Sequence, residues 1–387
     1  GSARITPLKK ADANTLKPGS SVSMQLSRGD YSLAASGTVT ARDGEKIYAF
    51  GHPFLSLGAS ELPMSESSVV IVIPNVNNSF KMAVPGDMVG TMTQDRATGV
   101  FGKLGRAPKM IPVTLDLTTS RGQKETLKFE ITRDDFLTPL LLNITIYNSI
   151  VALERGIGDL DIRIDGNIDL AGQPMIPITR RYAGSTSSQL AATSVSGPVS
   201  VLLRSRFEDL EITGINLNIA SAESGQTAVL DRISIDRSEV KAGETIMLKA
   251  YARTPAGRIF VQEVPFTLPQ GTPEGKMTIA IGDGASIQRD EAIQHFVPGD
   301  LSELVDIING VKTHDRLYLK VTRTTQGAVI GSSEMPNLPP SVLATINNGR
   351  TSGGISKTTQ TVVAESQLPP SEFLITGNKS LTLNVVR

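Results

Sequence analysis

His52 is the residue of this sequence whose type and setting could most directly do chemistry. It lies in the stretch YAFGHPFLSLG, residues 48–58, and is one of three histidines in 387 residues. An imidazole titrates near neutral pH and is the usual general base for a serine nucleophile. Gly51 before it and Pro53 after it break a strand, which can hold a side chain at a barrel rim or in a cleft. The alternative is a turn histidine bonded to backbone.

The other groups that could do chemistry give weaker signals. His295 and His314 are interpreted as surface or turn histidines, and no spacing typical of a metal site joins the three histidines. The absence of cysteine excludes disulfides, thiolate catalysis and Cys-ligated metal centres. No phosphate-binding glycine pattern follows a strand into a helix. We therefore expect neither a metal ion nor another cofactor.

Charge and hydropathy limit the partners. Lys plus Arg equals Asp plus Glu at 38 each, so the formal net charge is zero. This balance gives no electrostatic case for nucleic acid or an anionic membrane surface. No run reaches about 18 apolar residues, so we expect no membrane span in this chain.

Short strands must position His52. The first half of the chain alternates aliphatic and polar residues in runs about ten residues apart, which predicts a sandwich or barrel. The turn Asp43-Gly44 precedes the run that leads into His52 and is typical of a β-hairpin.

Two helices interrupt this β pattern. The period changes over residues 134–155, where capping signals and apolar spacing predict an amphipathic helix. Its predicted apolar face consists of Phe136, Leu140, Ile144, Tyr147 and Val151. A second, weaker helix is expected within residues 187–205, with an interruption at Gly197-Pro198.

Three motifs resemble the SpoIVB serine peptidase family. They are SGTVTARDGEKIYAFGHPF (36–54), VPGDMVG (84–90) and ATGVFGKLG (97–105), in the order seen in that family. The resemblance covers about residues 20–135 and is closest to a branch with an AFGHPFL motif, found in large exported bacterial proteins. The family is placed among the trypsin-like double-barrel peptidases. The resemblance therefore implies a trypsin-like β-barrel, a protein or peptide substrate, and an extracytoplasmic location, periplasmic or secreted.

By motif, the resemblance assigns a catalytic role to His52 but to no nucleophile and no acid. His52 matches the family's catalytic general base, whereas the nucleophile motif Gly-Met-Ser-Gly-Ser-Pro is absent from this sequence. The nearest string contains Ser196 but lacks the Gly-Met before it. The acid partner does not map by motif, and Asp95 and Asp87 are candidates by proximity, with Asp95 the predicted catalytic acid. For either carboxylate the alternative is a solvated turn aspartate.

The expected fold is mainly β, with three regions. Residues 1–19 are interpreted as a tag remnant and flexible N-terminal segment. Residues 20–209 are expected to form the peptidase-like barrel domain with helices near 134–155 and 187–205. The strand pattern restarts near residue 210, and residues 210–387 are expected to form an immunoglobulin-like β-rich region. It contains a short helix near 300–309 that opens on Asp300 and ends at Gly310.

Two functions remain open at this point. The first is the portion of an exported serine endopeptidase that carries the general base but no nucleophile and is inactive alone, because a histidine by itself cannot form an acyl-enzyme. Its partner could then be a missing N-terminal segment of the same protein. The second is a non-catalytic extracytoplasmic scaffold or binding protein, a pseudopeptidase, which the large β-rich C-terminal half favours.

Overall fold

A computed structural model describes residues 5–76, 79–154, 159–223, 226–289, 298–330, 333–335, 337–346 and 355–387. The fold is mainly β, as the sequence predicts, and the chain divides into two units. The first unit comprises Gly1–Ile157, Ile164–Ile178 and Ser188–Ala222. The second comprises Gly158–Arg163, Thr179–Ser187 and Glu223–Arg387.

The N-terminal half of the chain supplies one large sheet and two helices. Its elements are β1 (Ser21–Gly29), β2 (Leu33–Asp43), β3 (Lys46–Ala49), β4 (Gly58–Ile73), β5 (Phe80–Arg96), β6 (Gly99–Leu104), β7 (Met110–Thr118), β8 (Lys124–Thr132), α1 (Leu137–Glu154), β9 (Leu160–Leu170), β10 (Ile176–Gly184), α2 (Ser187–Ser205) and β11 (Ile212–Glu223).

Six of these strands close a ring. Hydrogen-bonded neighbours follow the order β1-β2-β3-β6-β5-β4, and β4 pairs back onto β1. Because β4 returns beside β1 after the meander β1-β2-β3, the connection is a Greek key. Large side chains that are fully buried fill the ring, among them Met24, Ile47, Leu62, Met64 and Met92.

The same sheet continues beyond the ring. From β1 it passes through β8, β7, β11, β9 and β10, and β11 lies parallel to β7. In the described residues these five strands form an open extension and not a second closed ring.

Helix α1 lies where the sequence predicts it, but the prediction of its buried face is wrong. Phe136, Leu140, Ile144 and Tyr147 are between 37% and 56% exposed. The buried positions are Leu137, Leu141, Leu142, Ile146 and Ile150. The helix is apolar almost all the way round, so its periodicity cannot select the face that packs on the sheet.

Helix α2 runs without a break through Gly197-Pro198, so the predicted interruption is wrong. A proline inside a helix removes one backbone hydrogen bond and crowds the preceding turn. Here Val195, Val199 and Leu202 are fully buried on one side of the helix. This packing stabilises the helical path against the local cost of the proline.

The second unit is built from two sheets and three short helices in the described residues. Its elements are β12 (Thr227–Ile235), β13 (Glu239–Lys241), β14 (Thr245–Arg253), β15 (Ile259–Thr267), β16 (Gly275–Asp283), α3 (Gly284–Arg289), α4 (Leu301–Asn309), β17 (Leu317–Ile330), β18 (Ser333–Met335), α5 (Pro340–Ile346), β19 (Ile355–Gln367), β20 (Leu374–Thr376) and β21 (Asn378–Val386).

One sheet has the order β15-β14-β12-β20, and the other has β13-β21-β16-β17-β18 with β19 paired to β17. Alternating aliphatic residues from both sheets share one buried core, for example Leu248 and Phe266 from one sheet and Ile279 and Leu319 from the other. Helix α4 begins after Asp300, whose carboxylate accepts the amide of Glu303, and it ends at Gly310, as the sequence indicates.

A buried ion pair ties chain segments together inside the second unit. Arg181 of β10 is 4% exposed, and its guanidinium donates to the carboxylate of Asp161 in β9 at 2.6–3.2 Å. The same guanidinium donates to the carbonyls of Ser371 and Glu372 at 3.1 and 2.8 Å. It also donates to the Gln226 side chain at 3.2 Å. One side chain thus satisfies a carboxylate and two carbonyls that belong to distant parts of the sequence.

We expect Arg181→Met to lower the free energy of unfolding by about 3 kcal/mol or more, because it leaves the Asp161 carboxylate buried without a partner. Chemical denaturation followed by circular dichroism measures the change. Adding Asp161→Leu should recover the part of the loss that comes from the unpaired carboxylate. Arg237→Met, which removes an exposed pair with Asp236, is the matched control and should leave the midpoint unchanged. An unchanged midpoint for Arg181→Met would contradict the role given to this pair.

Candidate functional site

The candidate site is the loop of residues 50–57, which joins β3 to β4 and carries His52. The backbone turns sharply here, with positive φ at Phe50 (74°), Gly51 (76°), Ser56 (59°) and Gly58 (75°). A non-glycine residue in this region costs free energy and persists only where its surroundings hold it. The contacts that hold this loop therefore identify what positions the histidine.

Phe50 anchors the start of the loop on strand β2. Its amide donates to the carbonyl of Thr38 at 3.0 Å. Its ring lies over Gly37 so closely that a Cβ added at Gly37 would stand 2.1 Å from the ring. The Phe50 ring centroid is in turn 5.8 Å from that of His52. The glycine of the SGTVT motif thus makes room for the aromatic residue of the AFGHPF motif.

His52 is exposed, and one ring nitrogen is committed. Nδ1 lies 2.8 Å from the carbonyl oxygen of Pro53. A carbonyl can only accept, so Nδ1 carries the proton, and in the neutral ring Nε2 is then an unprotonated acceptor. No hydrogen bond within the described residues occupies Nε2. This is the tautomer that a general base acting through Nε2 requires.

Asp95 holds the second half of the loop. The carboxylate is 1% exposed, and its Oδ1 accepts the amide of Phe54 at 2.7 Å. Its Oδ2 accepts the amides of Leu55 at 2.8 Å and Leu57 at 3.0 Å. Strands β3 and β5 are both antiparallel to β6, so their C-terminal ends lie at the same end of the barrel. That geometry brings Asp95, near the end of β5, against the loop that leaves β3.

The loop amides keep Asp95 ionised. Burial is the largest single influence on the pKa of Asp95 and raises it, but the hydrogen bonds from the loop amides together outweigh it. The pKa of Asp95 therefore lies below its ordinary value of 3.8. A carboxylate that accepts several amide hydrogen bonds stabilises the loop most strongly when it is charged.

The predicted acid, on β5, and the predicted base, in the loop, both contact this loop, but no hydrogen bond joins them. The carboxylate of Asp95 contacts loop amides, and Nδ1 of His52 contacts Pro53. Asp87, the other candidate acid, has a half-exposed side chain 3.7 Å from the Lys9 ammonium. The arrangement makes Asp95 a residue that positions the histidine loop.

Ser196 lies on helix α2 and is 7% exposed. Its Oγ accepts from Asn143 Nδ2 at 3.2 Å and donates to the Thr193 carbonyl at 3.4 Å. No hydrogen bond in the described part of the chain links it to His52. His295 lies outside the described residues.

Lys81 also belongs to the site, although no motif in the sequence points to it. Its ammonium donates to the carbonyl of Gly37 at 2.6 Å and to Thr38 Oγ1 at 3.0 Å, beside the Phe50 contact. Burial lowers the pKa of Lys81. It is the only charged residue between positions 67 and 86, and this isolation was the signal that could have singled it out.

His314, in the second unit, is not the surface histidine that the sequence suggested. Its ring is half-buried 5.5 Å from the Tyr182 ring, and Nδ1 is enclosed without a hydrogen-bond partner. Burial lowers the pKa of His314 most, and the positive charge of Arg180 lowers it further. Asp283 and Asp315 oppose this shift without reversing it.

Among the described residues, no three His, Asp or Glu side chains group closely enough to hold a metal ion. Nor does any helix in that part of the chain have the length and hydropathy to cross a membrane. Comparisons of this chain with protein-family models, curated proteins and solved structures gave no match.

We expect Asp95→Asn to destabilise the protein by about 3 kcal/mol, because the charge that holds the loop amides is lost and an NH2 group can face donors. Wild-type stability should also fall as pH drops from 3.8 through the lower folded pKa, and the variant should lack that increment. Thermal melts between pH 2 and 7 measure both effects. Asp87→Asn is the control and should melt like the wild type; equal melting of Asp95→Asn would contradict the role of this carboxylate.

For His314 we expect a loss of stability in mild acid. Its folded pKa lies below the unfolded value of 6.5, so the unfolded chain takes up the proton first and stability decreases as pH falls below 6.5. Calorimetry at pH 7.5 and 5.5 should show a smaller decrease for His314→Gln than for the wild type. The same decrease in both proteins would show that this buried ring is not responsible.

Proposed function

We propose that this chain is the general-base portion of a SpoIVB-like serine endopeptidase that acts outside the cytoplasm, and that it is inactive alone. The observation that carries the proposal is the exposed ring of His52. Its Nδ1 donates to the Pro53 carbonyl, which leaves Nε2 unprotonated and able to accept a proton. A protein or peptide would be the substrate. No cofactor is required, because acyl transfer by a serine nucleophile needs a base and oxyanion donors only.

A trypsin-like barrel is the fold that accompanies this proposal. The closed six-stranded Greek-key ring supports it, since such barrels carry the Ser-His-Asp arrangement in chymotrypsin-type peptidases. His52 follows β3, and Asp95 is the next-to-last residue of β5, at the same end of the barrel. Both titratable groups of the predicted site, His52 and Asp95, therefore lie at one end of the ring.

In the proposed chemistry, Nε2 of His52 takes the proton of an attacking serine hydroxyl and later gives it to the leaving amine. The Pro53 carbonyl keeps Nδ1 protonated and orients the ring, the part that a carboxylate plays in a Ser-His-Asp triad. A neutral carbonyl stabilises the imidazolium less than a carboxylate would. Asp95 acts one step away, as the positioning residue that holds the loop.

The nucleophile of this proposal lies on a segment of the same protein outside these 387 residues. The motif Gly-Met-Ser-Gly-Ser-Pro is absent from the sequence, and Ser196 is committed to contacts within a helix pair. Reading the gene upstream of residue 3 separates the two functions. A Gly-x-Ser-Gly-Ser-Pro there supports the peptidase, and its absence supports the second candidate.

That second candidate is a non-catalytic extracytoplasmic scaffold or binding protein. The second unit favours it, because its two sheets enclose a core of their own. An immunoglobulin-like fold is proposed for this unit, supported by the parallel pairing of β13 with the last strand β21. The unit departs from that fold in one respect. The hairpin β14–β15 stays within one sheet, whereas immunoglobulin strands B and C lie in opposite sheets.

We expect no covalent adduct when the chain is incubated with an active-site-directed fluorophosphonate, because no serine hydroxyl of the described residues is hydrogen-bonded to His52. Intact-mass analysis measures the adduct. A stoichiometric adduct that disappears in His52→Gln would place a nucleophile within this chain and overturn the proposal of an incomplete site.

The tautomer of His52 can be measured independently of activity. In long-range ¹H–¹⁵N spectra of a chain with only three histidines, the resonances lost in His52→Gln identify this ring. We expect the neutral ring to carry its proton on Nδ1, because the Pro53 carbonyl accepts it. A proton on Nε2 would remove the observation on which the general-base role is based.

A further inference from the structure

In the distal half of the β4–β5 hairpin, the two strands pair with each other and with no further strand in the described ladders. We call residues 67–76 and 79–86 the arm. Strand β1 pairs with β4 only at Met64–Glu66, and β6 pairs with β5 only at Gly90–Arg96. Both edges of the arm are therefore unpaired in the described ladders, which is an exposed edge that proteins usually cover.

The arm is apolar on both faces. Consecutive residues of a strand point to opposite faces, and large apolar side chains that are between 44% and 68% exposed occupy successive positions. They are Val69, Val70, Ile71, Val72, Phe80, Met82 and Val84. Exposed apolar surface of this extent marks an interaction site.

The arm also offers no free charge to a partner. Its one ionisable side chain is Lys81, whose ammonium is bound by Gly37 and Thr38 of the barrel. A partner recognised through phosphates or carboxylates is therefore disfavoured.

A second apolar surface lies on the same unit, on helices α1 and α2. Asn143 of α1 donates to Thr193 and Ser196 of α2 at 3.3 and 3.2 Å, so the two helices present one surface. We call its exposed apolar side chains the helix face. They are Phe136, Leu140, Ile144, Tyr147, Leu190 and Val201. Helix α1 has no charged residue before Glu154.

We propose that two copies of this chain associate by docking the arm of each onto the helix face of the other. A two-fold axis that seats one arm on the partner's helix face also seats the partner's arm on the first, so the contact closes as a dimer. A half-exposed large apolar side chain offers on the order of 80 Å², so the arm and helix face together offer on the order of 1,000 Å² per copy. This exceeds the roughly 800 Å² that each partner buries in a specific interface.

Sedimentation velocity over a range of concentrations tests the association. We expect the wild type to form a concentration-dependent dimer. Val72→Lys in the arm and Ile144→Lys in the helix face should each weaken it at least tenfold, because each places a charge in an apolar interface. Ile259→Lys, at a side chain 48% exposed in the second unit, is the matched control and should dimerise like the wild type. A wild type that stays monomeric at all concentrations would overturn the proposal.

Cysteine cross-linking tests which surfaces meet, and the absence of native cysteine makes single-cysteine variants clean probes. We expect a short bismaleimide to link Val72→Cys to Ile144→Cys in a mixture of the two variants and to link neither variant efficiently to itself. Efficient linkage of Val72→Cys alone would overturn the proposal in favour of arm-to-arm pairing. Thermal melts of both variants establish that they fold before the linkage is scored.

Discussion

A buried carboxylate that accepts the amides of one loop is the constraint on which the candidate site depends. The loop after β3 contains non-glycine residues at positive φ, Phe50 and Ser56, and such backbone needs an external hold. Asp95 supplies it with three amide hydrogen bonds from a position 1% exposed to solvent. The closed ring of strands makes this contact possible, since it brings the C-terminal ends of β3 and β5 to one end of the barrel.

Two further contacts hold the loop and its surroundings in place. Phe50 occupies the space that a side chain at Gly37 would need, and Lys81 binds the backbone of the same strand. The loop, strand β2 and the β4–β5 hairpin are thereby fixed to one another. His52 stands on this framework with an exposed ring and one nitrogen committed to Pro53. The incomplete active site that we propose would need a proton acceptor held in this way.

The exposed apolar surfaces of the first unit have a different physical origin from the candidate site. A helix that is apolar on every side, such as α1, leaves part of its apolar surface in water after one side has packed on the sheet. The β4–β5 hairpin likewise carries apolar residues beyond the point where its partner strands end. The first unit thus has more apolar surface than its own core can cover. Association between copies would cover that surface without any change in the barrel or in the position of His52.

Local pattern in the sequence was enough to determine the β-rich class, the positions of α1 and α2, and the capping residues Asp300 and Gly310. Each of these depends on residues within a few positions of one another, where periodicity and capping chemistry are decisive. The motifs also placed His52 in a break between strands. Tertiary structure alone decided which face of α1 is buried, that His314 is enclosed, and that Asp95 holds a loop some forty residues away. These outcomes depend on which strands become neighbours when the ring closes and the sheets pack, and contacts of such long range leave no local pattern from which they could be predicted.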